Sequence, residues 1–332
     1  MKDHRKKLAA RAPLSQKTVV IAGASSGIGR ATALEFARRG SSLILLARRI
    51  DTLQQVAEQC LDAGARLALA VQADVTKPEN LRDAVKIALE ATGKIDVWIN
   101  NAGGGAVGTF EEIPLDVHHK VIETNLLGHI NGTYHVLPVF KQQGYGTLIN
   151  TISVGAFAPE PYVVAYSASK YGLRGFSESL RCELLHWPDI HVCDIFPAYI
   201  DTPGFQHAAN YTGKKIKPVP PVFEARRVAK AMVRLARRPK DAVNIGETAG
   251  LYKAANAIAP ALFRRVVTGI MDNYFHRAKP ASIGTGHLFK SGENGTGISG
   301  GWLQETSPAK KSLLFTAVAA GLGVGFLLFN RR

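Results

Sequence analysis

Short apolar runs alternate with longer amphipathic stretches along residues 17–246 of this 332-residue chain. The runs hold three to five residues, mostly Val, Ile, Leu and Ala, which is typical of buried strands. The stretches between them repeat apolar positions every three or four residues, as helices do, and some begin with capping residues such as Asp51 and Pro78. The predicted strands are Val19–Ala22, Leu43–Leu46, Leu67–Val71, Val97–Ile99, Thr147–Asn150, Val192–Phe196 and Val243–Ile245.

Helical stretches fill the intervals between the predicted strands. They are Ile28–Arg39, Asp51–Ala63, Glu79–Thr92, Asp116–Phe140, Tyr166–Leu185 and Glu224–Arg237. Two more, Ala249–Ala259 and Ala261–His276, follow the last strand and are separated by Pro260. Strands that alternate with helices form βαβ units, so the sequence predicts a single α/β domain over residues 17–278, with a doubly wound parallel sheet covered on both faces.

The pattern changes after residue 278. Residues 279–311 are rich in Gly and Ser, which predicts a flexible tether. Residues 312–330 carry no charge, and Lys310, Lys311 and Arg331 flank them. A helix of about 19 residues spans about 28 Å, close to the roughly 30 Å hydrocarbon core of a bilayer, so we expect a C-terminal transmembrane helix. The alternative is an apolar helix packed on the domain or on a partner chain, but such a helix normally keeps a polar face.

Composition and charge exclude several classes of protein. With 46% hydrophobic residues the chain is not disordered, and its three cysteines, without a CxxC pair, form neither a disulfide framework nor a cysteine-rich zinc site. The histidines show no metal-ligand spacing, so no metal is expected. The net charge of +15 suggests nucleic acid. However, ten of these charges lie in residues 1–17 and 277–332, so we predict a basic N-terminal arm (residues 1–16) and no nucleic-acid partner.

A glycine-rich turn joins the first predicted strand to the first helix. Gly23, Gly27 and Gly29 have the spacing GxxxGxG, and the helix begins near Ile28. Such a turn lets the backbone approach a pyrophosphate and directs the helix N-terminus at its charge. Glycines also form ordinary turns, but between a strand and a helix they favour a dinucleotide site and a Rossmann-like fold.

Two arginines follow the second predicted strand. At this place an NAD site has an acidic residue that binds the ribose 2′-hydroxyl, but this chain has Arg48 and Arg49. Guanidinium groups bind a 2′-phosphate, so NADP(H) is the expected cofactor. The alternative is that one of them, Arg49 in particular, is only solvated.

A serine, a tyrosine and a lysine suggest the chemistry. Ser153 follows the fifth predicted strand, and Tyr166 and Lys170 are four residues apart, on one face of a helix. A tyrosine with a pKa near 10 is a poor acid–base group at neutral pH, and a nearby cation lowers that pKa. The phenol can then exchange a proton with a carbonyl or an alcohol, while Ser153 holds the same oxygen.

Together these motifs closely resemble those of the short-chain dehydrogenase/reductase family, over residues 17–246. The resemblance also includes Asp74 after the third strand, Asn100-Asn101-Ala102-Gly103 after the fourth, Asn125 in the long helix, and Pro197 with Ile200 and Thr202 after the sixth. Two positions depart from the family pattern: Ala22 stands where threonine is common, and Ala198 stands where glycine is common.

The resemblance implies roles for these residues. Tyr166 is the general acid or base, Lys170 lowers its pKa and binds the nicotinamide ribose, Ser153 polarises the carbonyl, and Asn125 positions a water for proton relay. Asp74 contacts the adenine, Asn101 the adenosine side, and Ile200 and Thr202 the nicotinamide amide. The full set expected at the cofactor is Gly23, Ser25, Ser26, Gly27, Ile28, Gly29, Arg48, Arg49, Asp74, Val75, Asn101, Ala102, Gly103, Tyr166, Lys170, Pro197, Ile200 and Thr202.

Substrate choice is expected to come from two loops, residues 154–164 and a lid at residues 204–221. Their aromatic and apolar residues favour a steroid, a retinoid or another lipid-like carbonyl or alcohol. We expect a single-pass membrane protein whose catalytic domain faces the cytosol, and the family resemblance implies a homo-oligomer, a dimer or a tetramer. The alternative function is a membrane-tethered NADP(H)-binding scaffold or sensor without turnover.

Overall fold

Seven parallel strands form the central sheet in a computed structural model that describes residues 12–303, except residues 247 and 293. The strand order is β3-β2-β1-β4-β5-β6-β7, and each predicted strand is present with its ends within two residues of the expected ones. The strands are Thr18–Ala22 (β1), Ser42–Ala47 (β2), Leu67–Gln72 (β3), Val97–Asn100 (β4), Gly146–Thr151 (β5), Ile190–Pro197 (β6) and Ala242–Ile245 (β7).

Helices cover both faces of this sheet. They are Gly27–Ala37 (α1), Ile50–Asp62 (α2), Pro78–Thr92 (α3), Leu115–Ile122 (α4), Gly128–Gln143 (α5), Val164–Glu183 (α6), Gly204–His207 (α7), Ala225–Arg237 (α8), Thr248–Ile258 (α9) and Pro260–Arg277 (α10). Phe36 of α1, Val56 of α2 and Met232 of α8 belong to the core on one face, and Leu81 of α3 and Phe140 of α5 to the core on the other. Burial on both faces explains why the central strands are buried at every position and mostly apolar, without alternation.

The strand order reverses between β1 and β4, which lie side by side at the centre of the sheet. The chain leaves β1 toward β2 on one side, whereas it leaves β4 toward β5 on the other. The loops after the two strands therefore diverge and leave a crevice at the carboxyl edge of the sheet, where ligands bind in open α/β folds.

The long helix expected over Asp116–Phe140 is interrupted. It is divided into α4 and α5 by one turn of π-helix, Glu123–Leu127, which widens the backbone. Such a turn is often associated with a functional site, and it holds the predicted site residue Asn125.

The C-terminal strap, which we define as residues 279–303, differs from the flexible tether expected there. It forms antiparallel bridges to the lid, from Gly284 to Asn210 and from Pro280 to Lys214. Leu288 and Trp302 are buried, and the Trp302 indole N–H donates a hydrogen bond to the Thr202 carbonyl over 2.8 Å. The strap glycines bond through their backbones, as Gly284 does to Asn210, which explains why the composition of the strap resembles that of a linker.

No helix in the range 12–303, apart from the undescribed residues 247 and 293, is long and apolar enough to cross a membrane. The predicted transmembrane segment at residues 312–330 lies outside the described residues, as do residues 1–11 of the basic arm.

Replacing Trp302 should loosen the strap. Trp302→Ala removes the indole hydrogen bond and the edge-on packing against Phe205, whose ring centroid is 6.3 Å away. We expect amide hydrogen exchange across residues 284–302 to become faster by about tenfold or more, since the free energy of local opening falls. Phe289→Ala, which changes a 40% exposed side chain of the same strap, is the control and should leave exchange unchanged. Equal exchange in the two variants would contradict this account.

Candidate active site

The glycine-rich turn after β1 packs directly against the loop after β4. Gly23 has a φ of +86°, and a Cβ built on it would lie 2.7 Å from the backbone N and Cα of Ala102. A Cβ on Gly29 would lie 1.9 Å from the Gly23 carbonyl oxygen, and the Asn101 side chain donates a hydrogen bond to the same oxygen over 3.0 Å. Only glycines fit this contact, so the N-terminus of α1 faces the crevice across bare backbone, as a dinucleotide pyrophosphate requires.

One cavity of about 500 Å³ begins at this turn and continues past the carboxyl ends of the strands. Its wall contains fifteen residues that the sequence predicts at the cofactor, together with Ser153, Tyr166 and Lys170. The fifteen are Gly23, Ser25, Ser26, Gly27, Ile28, Arg48, Arg49, Asp74, Val75, Asn101, Ala102, Gly103, Pro197, Ile200 and Thr202. Gly29 and Asn125 are not part of the wall and act behind it.

Asn125 joins the loop after β4 to the catalytic helix. Its side-chain oxygen accepts a hydrogen bond from the Gly104 N–H over 2.8 Å, and its amide donates to the Gly104 carbonyl over 2.9 Å and to the Ser169 hydroxyl over 3.1 Å. Asn125 is fully buried in the π-helical turn. Its side chain therefore positions the backbone opposite Lys170, while the water relay stays a prediction.

Tyr166 and Lys170 lie on one face of α6, as their spacing predicts. The Lys170 ammonium is 5.6 Å from the centre of the Tyr166 ring and donates a hydrogen bond to the Thr151 carbonyl over 3.0 Å. Ser153, two residues after β5, accepts a hydrogen bond from the Gly155 N–H over 3.1 Å, and its hydroxyl lowers the pKa of Tyr166.

Burial dominates the electrostatics of this pair. It raises the pKa of Tyr166 to about 12, the Glu160 carboxylate adds to the rise, and the hydrogen bond with Ser153 opposes it. Burial also lowers the pKa of Lys170 to about 7. The lysine was expected to lower the tyrosine pKa, but burial makes its own charge costly. The protein groups alone therefore keep Tyr166 as a neutral phenol, the form that donates a proton.

Asp74, the residue that the sequence predicts at the adenine, follows β3 and lines the cavity. Its carboxylate accepts hydrogen bonds from the backbone N–H and the hydroxyl of Thr76, over 2.9 and 2.8 Å. These bonds fix the turn before α3 and hold the side chain on the cavity wall.

The strap covers the outer side of the dinucleotide end of the cavity, which the sequence did not predict. Arg48 donates hydrogen bonds to the carbonyls of His287 over 2.6 Å and Leu288 over 2.9 Å, and Arg49 donates to the Gly292 carbonyl. The Gly297 carbonyl accepts from the Gly27 N–H over 2.9 Å. The strap residues on the cavity wall are His287, Ser291, Gly292, Asn294, Gly295 and Thr296. The sequence signal for this packing is a pair of large apolar residues, Leu288 and Trp302, within a Gly/Ser-rich segment.

The other end of the cavity is mainly apolar and aromatic. Both predicted loops contribute to it, through Val154, Glu160, Pro161 and Val163 and, from the lid, through Gly204, Phe205, His207, Ala208, Ile216, Lys217 and Val219. Helices α9 and α10 provide a further wall, which the sequence did not predict. Its members are Tyr252, Val267, Ile270, Met271, Tyr274 and Phe275.

Comparisons with known proteins agree with this geometry. The sequence profile of the family described as short chain dehydrogenase matches residues 17–211. The chain is 29% identical over 319 residues to the uncharacterized oxidoreductase YxnA of Bacillus subtilis, a match that covers 93% of this chain and 89% of that protein. It is 32% identical over 232 residues to 11-beta-hydroxysteroid dehydrogenase A of Sesamum indicum, covering 67% and 66%.

A solved structure shares the fold. The alcohol dehydrogenase from the archaeon Thermococcus sibiricus, complexed with 5-hydroxy-NADP, superposes with a TM-score of 0.60 at 30% identity. The match covers 69% of this chain and 95% of that one. The match with the Bacillus protein also extends well past residue 211, into the part of the chain that holds α10 and the strap.

Adding one methyl group at Gly23 should block dinucleotide binding. Gly23→Ala forces a Cβ against Ala102 at a φ that side chains rarely adopt, so we expect the affinity for nicotinamide dinucleotides to fall by about tenfold or more. Gly175→Ala is the control, because its Cβ would meet nothing within 4 Å on the exposed side of α6. It should keep the affinity and slightly raise the Tm, since Ala favours a helix. Fluorescence titration measures both affinities, and unchanged binding by Gly23→Ala would contradict the assignment.

Proposed function

The chain belongs to the short-chain dehydrogenase family of oxidoreductases, and we propose that it interconverts a hydrophobic carbonyl compound and its alcohol with NADP(H) as cofactor. The observation that carries the proposal is the shared cavity, which has the glycine turn and two arginines at one end and Ser153, Tyr166 and Lys170 farther along. A bound nicotinamide dinucleotide supplies the hydride; the protein supplies position and a proton.

Tyr166 is the proton donor in the direction of reduction. Its phenol is neutral because burial raises its pKa, so it carries the proton that a carbonyl oxygen needs as negative charge develops there. The Ser153 hydroxyl interacts with the phenol, whose pKa it lowers, and holds the same oxygen. Lys170 is held by the Thr151 carbonyl beside the ring, and its low pKa allows it to pass a proton back toward Tyr166 near neutral pH.

Replacing the phenol hydroxyl should abolish turnover while binding is retained. For Tyr166→Phe we expect kcat to fall by about a hundredfold or more, because no other group delivers the proton. Tyr134→Phe, at an exposed position on α5 outside the cavity, is the control and should keep full activity. The measurement is NADPH oxidation with a panel of lipid-like ketones and aldehydes, together with a titration of NADPH binding.

Two outcomes would contradict catalysis by Tyr166. Substantial turnover by Tyr166→Phe would exclude its role as proton donor. NADPH binding without turnover of any carbonyl by the unaltered protein would favour the alternative function, a cofactor-binding scaffold or sensor.

Two arguments support NADP(H) over NAD(H). Arg48 and Arg49 directly follow β2, where an acidic residue would bind the 2′-hydroxyl of NAD. The related archaeal enzyme was solved with 5-hydroxy-NADP. A guanidinium has five N–H groups, so contacts of these arginines with the strap carbonyls and with a 2′-phosphate are compatible.

Neutralising Arg48 should reduce the preference for NADPH. Arg48→Gln removes a charge-assisted contact with a 2′-phosphate, so we expect KM for NADPH to rise about tenfold to a hundredfold and KM for NADH to change little. Arg66→Gln, an exposed position between α2 and β3, is the control. Equal rises in KM for NADPH and NADH would show that Arg48 does not bind the 2′-phosphate.

The aromatic wall supports a hydrophobic substrate, as does similarity to the plant protein named an 11-beta-hydroxysteroid dehydrogenase. We further propose that residues 312–330 anchor the chain in a membrane with the catalytic domain in the cytosol. Their 19 uncharged residues and basic flanks support that proposal. A homo-oligomer through the long helices is supported by the exposed side chains of Leu127 and Tyr171.

A further inference from the structure

Glu160 places a carboxyl group in the apolar end of the cavity, and the proposed reaction does not use it. Burial raises its pKa to about 7. Within the described part of the chain, no hydrogen-bond donor or cation pairs with this carboxyl. The ionisable groups near it are the phenols of Tyr166, Tyr171, Tyr199 and Tyr252. A half-buried carboxyl that lines a cavity and has no protein partner is a candidate for ligand binding.

The loop that carries Glu160 is fixed on its N-terminal side by Phe157. The Phe157 ring lies 4.5 Å from that of Phe196, between ring centres, and the Asn256 amide donates a hydrogen bond to the Phe157 carbonyl over 3.0 Å. The cationic groups of Arg174 and Lys253 lie 4.9 and 5.1 Å from the same ring centre. Phe157 therefore ties the loop to β6, α6 and α9.

Tyr162 fixes the loop on the other side. Its hydroxyl donates a hydrogen bond to Asp272, its ring packs edge-on against Phe275 at 5.1 Å, and its carbonyl accepts from the Gly108 N–H over 2.9 Å. Its φ is +66°, a left-handed conformation that a tyrosine keeps only where its surroundings hold it. Glu160 lies between the two anchors, so its position on the cavity wall is built into the fold.

We propose that Glu160 binds a hydroxyl group of the substrate, several carbons away from the carbonyl that Tyr166 protonates. This inference rests on the proposed function and names its substrate class: hydrophobic ketones or aldehydes with a second, hydroxylated position, and the matching diols. The apolar walls accept the hydrocarbon between the two oxygens, and the hydroxyl gives the carboxyl its partner.

The charges around the cavity favour a hydroxyl over an amine as this second group. Lys170 lines the same cavity and is partly protonated near pH 7, so a cationic substrate would meet a like charge there. A neutral hydroxyl avoids that repulsion. It also donates to the ionised carboxylate and accepts from the protonated acid, the two forms present near pH 7.

The test compares 2-alkanones of about twelve carbons with analogues that carry a hydroxyl at successive positions along the chain, at fixed NADPH. We expect the unaltered protein to turn over one hydroxylated ketone with a kcat/KM about tenfold or more above that of the plain alkanone. The number of carbons between the carbonyl and the hydroxyl of that substrate indicates the distance between Tyr166 and Glu160. Glu160→Leu should remove the preference. Glu111→Leu, at an exposed glutamate outside the cavity, is the control and should keep it.

A pH series distinguishes an effect of the Glu160 carboxyl from a general effect of the substitution on the cavity. The hydroxyl bonds more strongly to a carboxylate than to a neutral acid, so the preference should rise as the pH increases through about 7. Lys170 titrates in the same range, but it affects the hydroxylated and the plain ketone alike. Its effect therefore cancels in the ratio of their kcat/KM values. Glu160→Gln keeps the shape of the side chain, and it should retain part of the preference without its pH dependence.

Three results would overturn the inference while the proposed function stands: an unaltered protein that reduces the alkanones without preferring any hydroxyl position, a Glu160→Leu variant that keeps the preference, or better turnover of the corresponding amines. If no carbonyl compound is reduced with NADPH, the proposed function itself is wrong, and the inference fails with it.

Discussion

The architecture of the cleft depends on one steric constraint, the contact between the turn after β1 and the loop after β4. These strands are neighbours, yet their loops run in opposite directions, so the two backbones meet only where side chains are absent. Gly23 and Gly29 provide that room, and the Asn101 amide locks the contact through the Gly23 carbonyl. The direction of α1 and the start of the cavity both follow from it.

A series of hydrogen bonds connects this contact to the catalytic groups. The loop after β4 reaches Gly104, and Asn125 binds both backbone groups of Gly104 from a π-helical turn. The same asparagine contacts Ser169, which directly precedes Lys170. The position of the cofactor turn and that of the lysine are thereby connected through hydrogen bonds within the described residues.

Much of the fold and of the site could be predicted from the sequence because the signals are local. Strands buried on both faces give continuous apolar runs, and Tyr166 and Lys170 share a helix face by their spacing alone. The strap could not be predicted, because its carbonyls accept hydrogen bonds from distant groups such as the Arg48 side chain, and glycine and serine leave no periodic pattern. The π-helical turn at Asn125 has no pattern of its own. The high pKa of Tyr166 depends on burial by loops and helices that meet only in three dimensions.

The docking of Trp302 limits how far the cleft can stand from the membrane anchor proposed above. Trp302 is bonded to Thr202 at the cleft, and only nine residues, 303–311, separate it from residue 312. Nine fully extended residues reach roughly 30 Å. If residues 312–330 lie in a bilayer, residues 303–311 keep the carboxyl edge of the sheet within that distance of the lipid surface. Hydrophobic molecules leaving the lipid would then have only a short path through water to the cavity.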